Sequence, residues 1–418
     1  MVPQLMHPRA PSCAPASSTP GGRCGRRPEA AGLAVTGRRE KNGWIALKPG
    51  WGNGHASERT SFDPPAATRV LVVSDIHGNL PFLQGLLKKV GYSSDDILIV
   101  LGDILEKSTG GLDTLHYLMD LSRRNTVYFL QGNCEDVTLS FLRHAWPDEA
   151  AAQYGQFWGE KCAWVYMAHQ AGVGTEAPKD FDAARQAIEA TFPEEVAFLR
   201  AMPTILLNDR YLFVHGGVPR EDRLEDLTAR ACMKNDDFLN QGHAFQRWVI
   251  VGHWPVTLYR KDIPSAKPLV LPDRHIVSID GGCNLKADGQ LNALILPKEP
   301  GEDFTWLAYD GFPVMVAQED QAPSPNPINI SWGHSAQEAL SLGEEFSRCR
   351  HLESGRELDI LTDYLRQGPA GPYCLDSTDY LLPVRAGDRL AIVRRTSRGA
   401  LAKKDGVTGW YLGKLGPA

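Results

Sequence analysis

Short apolar runs alternate with segments of helical spacing, and this alternation most constrains the fold. Val70–Val73, Ile97–Leu101 and Thr126–Leu130 have the continuous apolar character of buried strands. Between them, Leu80–Val90 and Leu115–Leu121 place leucines three and four residues apart, which is typical of amphipathic helices. Strands alternating with helices in this way predict βαβ units, and therefore an α/β fold with parallel strands and right-handed crossovers.

Polar clusters follow the predicted strands directly. They are Ser74–Asn79, Gly102–Asp103 and Gly132–Glu135, and two further clusters, Phe213–Gly217 and Val251–Pro255, repeat the pattern. Ligands of open α/β sheets bind outside the carboxyl ends of the strands. The clusters are therefore expected to converge in one crevice, although they lie far apart in the sequence.

The clusters contain six candidate metal ligands: Asp75, His77, Asp103, Asn133, His215 and His253. Carboxylate and imidazole together suit Mn, Fe and Zn, and the set contains no cysteine of the kind that holds a structural zinc. Each motif alone also fits a turn or a core histidine. Their recurrence at the ends of strands favours a metal site.

With these motifs in order, residues 70–307 resemble the calcineurin-like metallophosphoesterase superfamily, specifically its phosphoprotein-phosphatase (serine/threonine phosphatase-like) branch of bacterial type. The resemblance is carried by SDIHG at 74–78, GDILEKS at 102–108, GNCE at 132–135, HGG at 215–217 and GHWP at 252–255. It implies a metallophosphoesterase β-sandwich core built from βαβ units flanked by helices.

The resemblance also implies how the ligands are shared. Asp75 and His77 would hold a first metal, Asp103 would bridge, and Asn133, His215 and His253 would hold a second. The cofactors would be two divalent ions, Mn or alternatively Fe or Zn. The reaction would be hydrolysis of a phosphate ester by a metal-activated water, in which the cations also stabilise the phosphoryl oxygens.

Three residues of the catalytic motifs depart from the family pattern. Cys134 stands where the family has a histidine that protonates the leaving oxygen, Glu106 replaces an aspartate, and Lys107 replaces a phosphate-gripping arginine. Lysine neutralises phosphate but does not bind it bidentately. With Asp103, these three are the candidate catalytic residues; a buried structural role for Cys134 is the alternative.

Other residues are candidates for contacts with the substrate or with the ligands. Asn133, Arg220 and Arg247 are expected to contact the substrate phosphate, with surface roles as the alternative for the arginines. Asp280 and Asn284 would orient ligands from outside the metal shell.

Composition divides the chain into four parts: a disordered extension (1–66), a catalytic domain (67–317) with a helical cap (137–204), a linker (318–344) and an all-β barrel (345–418). The barrel resembles bacterial Src-homology-3 barrels through Pro383–Val393 and Asp405–Tyr411. That resemblance implies a peptide or cell-wall partner. Trp410 is expected to pack in the barrel core, and a binding groove is the alternative.

Charge and cysteine usage limit the class of protein. The net charge is −6, and residues 1–66 carry nine Lys/Arg against four Asp/Glu, so the rest of the chain is acidic. An acidic body argues against nucleic-acid binding. No apolar run reaches the length of a membrane span, and the eight cysteines form no C-x-x-C pair. These features predict reduced thiols in a cytoplasmic protein.

Two readings of function remain open. The first is a phosphoesterase whose substrate is a phosphoprotein, a nucleotide such as a dinucleoside polyphosphate, or a small phosphoester. The second is a metal-binding pseudophosphatase that acts as an interaction scaffold through its barrel; the replacements at Cys134 and Lys107 motivate it.

Overall fold

The computed structural model describes residues 65, 68–175, 180–299 and 301–418. The prediction of a disordered extension at residues 1–66 therefore lies, apart from Pro65, outside the described residues. Within the described part of the chain, none of the helices combines the length and the apolar character that crossing a bilayer requires.

The strands of the first 310 residues are β1 (Val70–Val73), β2 (Ile97–Val100), β3 (Thr126–Phe129), β4 (Ile205–Leu207), β5 (Tyr211–Val214), β6 (Trp248–Val251), β7 (Leu269–Leu271), β8 (Ile276–Ser278), β9 (Leu291–Ile295) and β10 (Thr305–Tyr309). The helices are α1 (Leu80–Val90), α2 (Gly111–Ser122), α3 (Asn133–Leu142), α4 (Asp148–Trp158), α5 (Ala163–Gln170), α6 (Phe181–Thr191), α7 (Pro193–Ala201) and α8 (Ala229–Met233).

These strands form two five-stranded mixed sheets, in the orders β10-β9-β1-β2-β3 and β4-β5-β6-β8-β7. The expected parallel pairing is present in β1-β2-β3 and recurs in β5-β6-β8. The outer strands β9, β10, β4 and β7 pair antiparallel. A turn separates β4 from β5, and in it the Asn208 side chain accepts hydrogen bonds from the backbone N–H groups of Arg210 and Tyr211.

The two sheets pack face to face, which confirms the β-sandwich core. Val72 and Ile99 of the first sheet share one buried apolar cluster with Phe213, Ile250 and Val277 of the second. Burial of each of these side chains stabilises the fold by about 1.5–3 kcal/mol. Since this cluster holds the sheets together, it also holds the ends of β1, β2, β5 and β6 at fixed separations.

Helices cover the outer face of the first sheet. In α1, Leu83, Leu86 and Val90 are buried against the sheet, as their spacing predicts. The Asn79 side chain accepts from the backbone N–H of Phe82 at the start of this helix, and Gly91 ends it in the left-handed conformation (φ 61°). The polar cluster after β1 therefore ends where a capped helix begins.

Helices α3 to α7 form a separate apolar cluster within the segment predicted as a cap. Trp164 of α5 stacks on Phe141 of α3 with ring centroids 3.9 Å apart, and Phe181 of α6 meets both rings edge-on. The guanidinium of Arg185 lies over Phe141 and donates to its carbonyl. This aromatic packing fixes the first turn of α3, which carries Asn133 and Cys134, relative to the rest of the cap.

The C-terminal region is all β. Its strands are β11 (Val314–Ala317), β12 (Asn329–Ile330), β13 (Gln337–Ser341), β14 (Phe346–His351), β15 (Glu357–Leu361), β16 (Leu365–Gly368), β17 (Gly371–Cys374), β18 (Ser377–Thr378), β19 (Arg389–Thr396), β20 (Gly399–Lys404), β21 (Val407–Tyr411) and β22 (Leu415–Pro417). They pair antiparallel in four sheets; the largest has the order β21-β20-β19-β11-β22.

The Src-homology-3-like barrel expected at residues 345–418 is not confirmed, since the strand pairing of the described residues does not close into a barrel. One reason is that β11, from the segment assigned to the catalytic domain, supplies a central strand of the largest sheet. Another is that β13, β14 and β15 pair as a sheet of their own. Tyr411 is fully buried in the core of the largest sheet, and the half-buried Trp410 donates from its indole N–H to the Thr378 carbonyl at 2.8 Å.

Buried polar contacts attach the C-terminal region to the sandwich. The Lys403 ammonium, 2% exposed, donates to the Asp288 carbonyl and to the Gln290 side chain, both at 2.8 Å. The Asn329 amide donates to the carbonyls of Thr257 (3.0 Å) and Arg260 (2.8 Å). Because a buried ammonium without partners would be very costly, the Lys403 contacts fix the C-terminal region beside the segment that precedes β9. The Asn329 contacts fix it beside the loop that follows β6.

Candidate metal centre

Hydrogen bonds join the loops that follow the strands into one unit. The backbone N–H of Asp75 donates to Gly102 (3.1 Å), and that of His77 donates to Asp103 (2.9 Å). The backbone N–H of Cys134 donates to Oδ1 of Asp103 at 2.8 Å, and that of His253 donates to Oδ2 of Asp75 at 2.9 Å. Loops that are distant in sequence therefore meet at one edge of the sandwich, as their positions after strands predict.

Four of the candidate ligands have left-handed backbone conformations: Asp75 (φ 56°), His77 (50°), Asp103 (52°) and His253 (67°). Such residues cost about 1–3 kcal/mol each and are concentrated at functional sites. Gly252 allows close approach of the loops, because a Cβ there would collide with Ser74 and with the Asp75 carboxylate.

One group of ligand atoms forms around His77. Its Nε2 lies 3.8 Å from Oδ1 of Asp75 and 3.9 Å from Oδ2 of Asp103. All three side chains are buried, and neither Nε2 of His77 nor Oδ1 of Asp75 has a hydrogen-bond partner among the residues that the structure describes. Buried polar atoms without partners are costly. A divalent cation would satisfy them, so these residues fit a metal.

A second group forms around His215. Its Nδ1 donates to the Leu101 carbonyl at 2.8 Å, so Nε2 is the ring nitrogen that faces the site. That Nε2 lies 3.3 Å from Oδ1 of Asn133 and 3.3 Å from Oδ1 of Asp103. The ring of His253 is next to it, with centroids 5.1 Å apart. Asp103 thus turns one oxygen towards each histidine, His77 and His215.

Burial and the concentration of charge shift the pKa values of these groups. Burial raises the pKa of Asp75 to about 6 and lowers that of His77 to about 4. Burial opposes charge on Asp103 and His215 as well, but their mutual attraction is stronger. The attraction to His215 holds the pKa of Asp103 well below its ordinary value. The attraction to Asp103 and Asp75 raises the pKa of His215 to about 10. Without a cation, a proton on His215 balances the carboxylates.

The thiol of Cys134 is fully buried beside the first group. It donates to Oδ2 of Asp103 (3.0 Å), and its sulfur is 4.0 Å from Nδ1 of His77. Burial and the Asp103 charge raise its pKa well above the ordinary value. The thiol is therefore protonated at neutral pH in the absence of a cation.

Glu106 and Lys107 are directed towards the cap. Oε1 of Glu106 accepts from the backbone N–H of Ala163, the first residue of α5, at 2.9 Å, and burial raises the pKa of Glu106 to about 7. The Lys107 ammonium lies 3.8 Å from the centre of the Trp158 ring and 3.4 Å from the Tyr154 hydroxyl. These contacts connect the strand-end loop to α4 and α5.

The candidate arginines have acidic or backbone partners. Arg220 pairs with Asp226 at 3.1 Å; Arg247 pairs with Glu221 at 3.2 Å and donates to the Asn208 carbonyl at 2.9 Å. No contact among the described residues joins either guanidinium to the six candidate ligands.

Asn284 supports the first group directly, since its amide donates to the His77 carbonyl at 2.8 Å and its oxygen accepts from Asn79 at 3.0 Å. Asp280 is fully buried; its Oδ1 accepts from the backbone N–H of Gly282, and its Oδ2 has no partner within the described part of the chain. Burial and the neighbouring Asp75 charge raise the pKa of Asp280 well above the ordinary value.

Two acidic residues have roles that sequence analysis did not identify. Oδ1 of Asp236 lies 2.7 Å from Nε2 of His253 and also contacts the Lys234 ammonium. The fully buried carboxylate of Glu135 accepts four backbone hydrogen bonds, from Gly132, Asp103, Ile104 and Leu105. The GNCE motif contained a signal for Glu135, because a glutamate three residues into a helix is a capping position. No local pattern distinguishes Asp236.

Comparison with known proteins identifies the family. The family model for calcineurin-like phosphoesterases matches residues 68–277, half of the chain. The chain belongs to the calcineurin-like phosphoesterase family. In this calcineurin-like phosphoesterase the matched residues include both ligand groups and the whole cap, while β9 and β10 of the sandwich lie beyond them. No curated protein matches the chain significantly.

Several solved structures are similar to this phosphoesterase. One is described as a putative diadenosine tetraphosphatase (15% identity, TM-score 0.38, covering 60% of this chain and 97% of the other). Another is a metallophosphoesterase from Sphaerobacter thermophilus (17%, 0.34, 58% and 89%). A third is a serine/threonine phosphatase from Saccharomyces cerevisiae (13%, 0.32, 58% and 80%).

Proposed function

We propose that this protein is a metal-dependent hydrolase of phosphate esters, with a serine/threonine phosphatase-like site that holds two divalent cations, preferably Mn²⁺. The observation that carries the proposal is the position of Asp103. Its Oδ2 faces His77 at 3.9 Å and its Oδ1 faces His215 at 3.3 Å, so one carboxylate contributes to both ligand groups. Asp75 and His77 would hold one cation, and Asn133, His215 and His253 the other.

Bound cations would supply the charge that activates water and stabilises the phosphoryl oxygens. The residues of the chain prepare the site. His215 donates to the Leu101 carbonyl at 2.8 Å, so its ring is held with Nε2 towards Asp103 and Asn133. Asp236 holds the His253 ring in the same manner. Orientation of this kind supports ligand affinity, because the histidines need not lose freedom on binding.

The replacements near the site support esters with good leaving groups as substrates. The raised pKa of Cys134 makes its thiol a poor proton donor, so it cannot replace a histidine in protonating a poor leaving oxygen. Lys107 is half-buried over Trp158, where it is directed at the cap. Activated monoesters and diesters would therefore be hydrolysed faster than phosphoserine. The candidate contacts of Arg220 and Arg247 with phosphate remain predictions.

The test is hydrolysis of p-nitrophenyl phosphate and bis(p-nitrophenyl) phosphate with Mn²⁺, by the wild type and by Asp103→Asn. Asp103→Asn removes the negative charge of a candidate ligand and should lower activity by about 100-fold or more. Losses of this size follow the removal of a single group that stabilises the transition state electrostatically. Asp120→Asn, an exposed acid of α2 paired with Arg123, is the matched control and should retain activity. Equal rates for wild type and Asp103→Asn would contradict the proposal.

A non-catalytic metal-binding scaffold is the second candidate. The observation that favours it is the engagement of Lys107 and Glu106 with the cap, which leaves the second motif without its usual phosphate contact. Metal binding without turnover of any activated phosphoester would support this scaffold. Mn²⁺-dependent turnover that Asp103→Asn abolishes would exclude it.

A further inference from the structure

An exposed tryptophan of the C-terminal region lies beside the proposed metal centre. Trp332 is 54% exposed, and its ring meets that of Trp254 edge-on, with centroids 5.5 Å apart. Trp254 follows His253 directly, and those two rings are 6.5 Å apart. A continuous series of rings therefore leads from a candidate ligand to the outer surface of Trp332.

Hydrogen bonds of Trp332 itself and of the residues just before it in the sequence hold Trp332 at this position. Its backbone N–H donates to Oδ1 of Asp376 at 3.2 Å, and Oδ2 of Asp376 pairs with the largely buried Lys286 of the sandwich at 2.5 Å. Three residues earlier, the backbone N–H of Asn329 donates to the Lys261 carbonyl at 3.0 Å, in addition to the contacts of its side chain. The indole is thus fixed relative to the loop that carries His253.

Single exposed apolar residues are common on proteins and need no explanation. Trp332 differs because it is anchored across two parts of the chain and extends an aromatic surface that begins at the site. Leu285 is also exposed (40%), and it follows Asn284, whose amide contacts the His77 carbonyl. Leu285 therefore adds exposed apolar surface next in sequence to a residue that contacts His77.

We propose that Trp254 and Trp332 form a binding surface for a planar aromatic or heteroaromatic group attached to the substrate phosphate. The inference rests on the proposed function, because the cations would hold the phosphoryl group while the indoles contact the ring. Stacking of such rings on aromatic side chains is favourable for every base and for simple aryl groups, since each has a π-face. The C-terminal region thereby takes part in substrate selection, and Trp332 is a specificity-determining residue.

The test measures binding and turnover separately. With Mn²⁺ present, calorimetry gives the affinity of full-length wild type and Trp332→Ala for phenylphosphonate, methylphosphonate and adenosine 5′-thiomonophosphate. Wild type should bind at least one aromatic probe more tightly than methylphosphonate. Trp332→Ala should lower the affinity for that aromatic probe by about 5-fold or more, which is the size of loss seen when one stacking aromatic side chain is replaced by alanine. The affinity for methylphosphonate should be unchanged. The two aromatic probes separate a phenyl ring from a nucleobase.

Control variants separate a specific contact from a general change of the surface. Trp332→Phe keeps a ring and should restore most of the affinity. Leu342→Ala removes a more exposed apolar side chain (76%) directly after the end of β13 and should leave the affinity for every probe unchanged. Equal losses for the aromatic probes and methylphosphonate in Trp332→Ala, or no loss for any probe, would overturn the inference. Phosphonate binding without p-nitrophenyl phosphate hydrolysis would reject the proposed function alone.

Discussion

Oδ1 of Asp236 accepts a hydrogen bond from Nε2 of His253 across 2.7 Å. Burial lowers the pKa of His253 to about 4, so the ring is neutral at pH 7 and carries a single N–H. Burial opposes ionisation of Asp236, but His253 and the ammonium of Lys234 outweigh it and hold the pKa of Asp236 below its ordinary value. The proton is therefore on Nε2, and the lone pair of Nδ1 remains for a cation.

Asp236→Asn should lower the affinity for Mn²⁺ by about 10- to 100-fold, as loss of carboxylate partners of metal-binding histidines does. The reason is that an amide holds the His253 ring less firmly and makes Nδ1 a weaker donor. Titration calorimetry of the metal-free protein measures the affinity. Asp237→Asn is the matched control, since the Asp237 carboxylate accepts from Asn240 and not from His253. Equal affinities of the two variants would contradict this role.

Glu135→Gln should lower the free energy of unfolding by about 2–4 kcal/mol, because buried N–H donors that lose a charged acceptor cost about this much. The Glu135 carboxylate accepts from the four backbone N–H groups of Gly132, Asp103, Ile104 and Leu105. An amide offers one oxygen only, and its NH₂ group would face the remaining donors. Urea unfolding at pH 7 measures the difference in the free energy of unfolding. An unchanged unfolding midpoint would show that these bonds contribute little.

Glu106→Gln should remove part of the pH dependence of stability. Burial raises the pKa of Glu106 from 4.5 to about 7 in the folded protein. Between those values the folded state keeps a proton that the unfolded state has lost, so the contribution of Glu106 to stability falls as the pH rises through this window.

Unfolding at pH 4.5 and at pH 8 tests this prediction. At pH 8, Glu106→Gln should be more stable than wild type by on the order of 1–3 kcal/mol, while at pH 4.5 the two proteins should be similar. Glu149→Gln, on the exposed face of α4, is the control and should follow wild type at both pH values. A Glu106→Gln protein that follows the wild-type dependence on pH would refute the prediction.

Cys134→His should raise the hydrolysis of phosphoserine, whose leaving oxygen needs a proton, relative to Cys134→Ala. An imidazole at this position can protonate a leaving oxygen, and a general acid contributes about 10²–10⁴-fold to a rate where protonation limits it. The expected gain is smaller for p-nitrophenyl phosphate, because its p-nitrophenolate leaving group departs without a proton. The site is fully buried, so the larger ring should also cost about 1–3 kcal/mol of stability. Steady-state kinetics at saturating Mn²⁺ measures both rates.

Much of the fold and of the candidate site could be predicted because its signals are local. Val70–Val73 and Ile97–Val100 are apolar throughout, and a polar cluster begins directly after each. The carboxyl ends of parallel strands share one edge, so the order of the motifs was enough to predict that Asp75, His77 and Asp103 converge. The contacts that join them are backbone hydrogen bonds between neighbouring loops, which follow from the parallel pairing.

Other features depend on contacts that no local pattern encodes. Asp236 reaches His253 because the connection between β5 and β6 folds back over the site, and an aspartate in a polar segment has no distinguishing signal. The strand β11 looked like the end of the catalytic domain, but it pairs with β19 and β22 of the C-terminal region. Trp332 comes near Trp254 only through the docking of that region on the sandwich.

Metal stoichiometry tests the central claim most directly. Protein loaded with Mn²⁺, freed of unbound metal and analysed by elemental mass spectrometry should contain two ions per chain in the wild type. Asp103→Asn should retain one or none, because its carboxylate faces both ligand groups. A wild type that binds no Mn²⁺, Fe²⁺ or Zn²⁺, or an Asp103→Asn variant with the full wild-type content, would contradict the account.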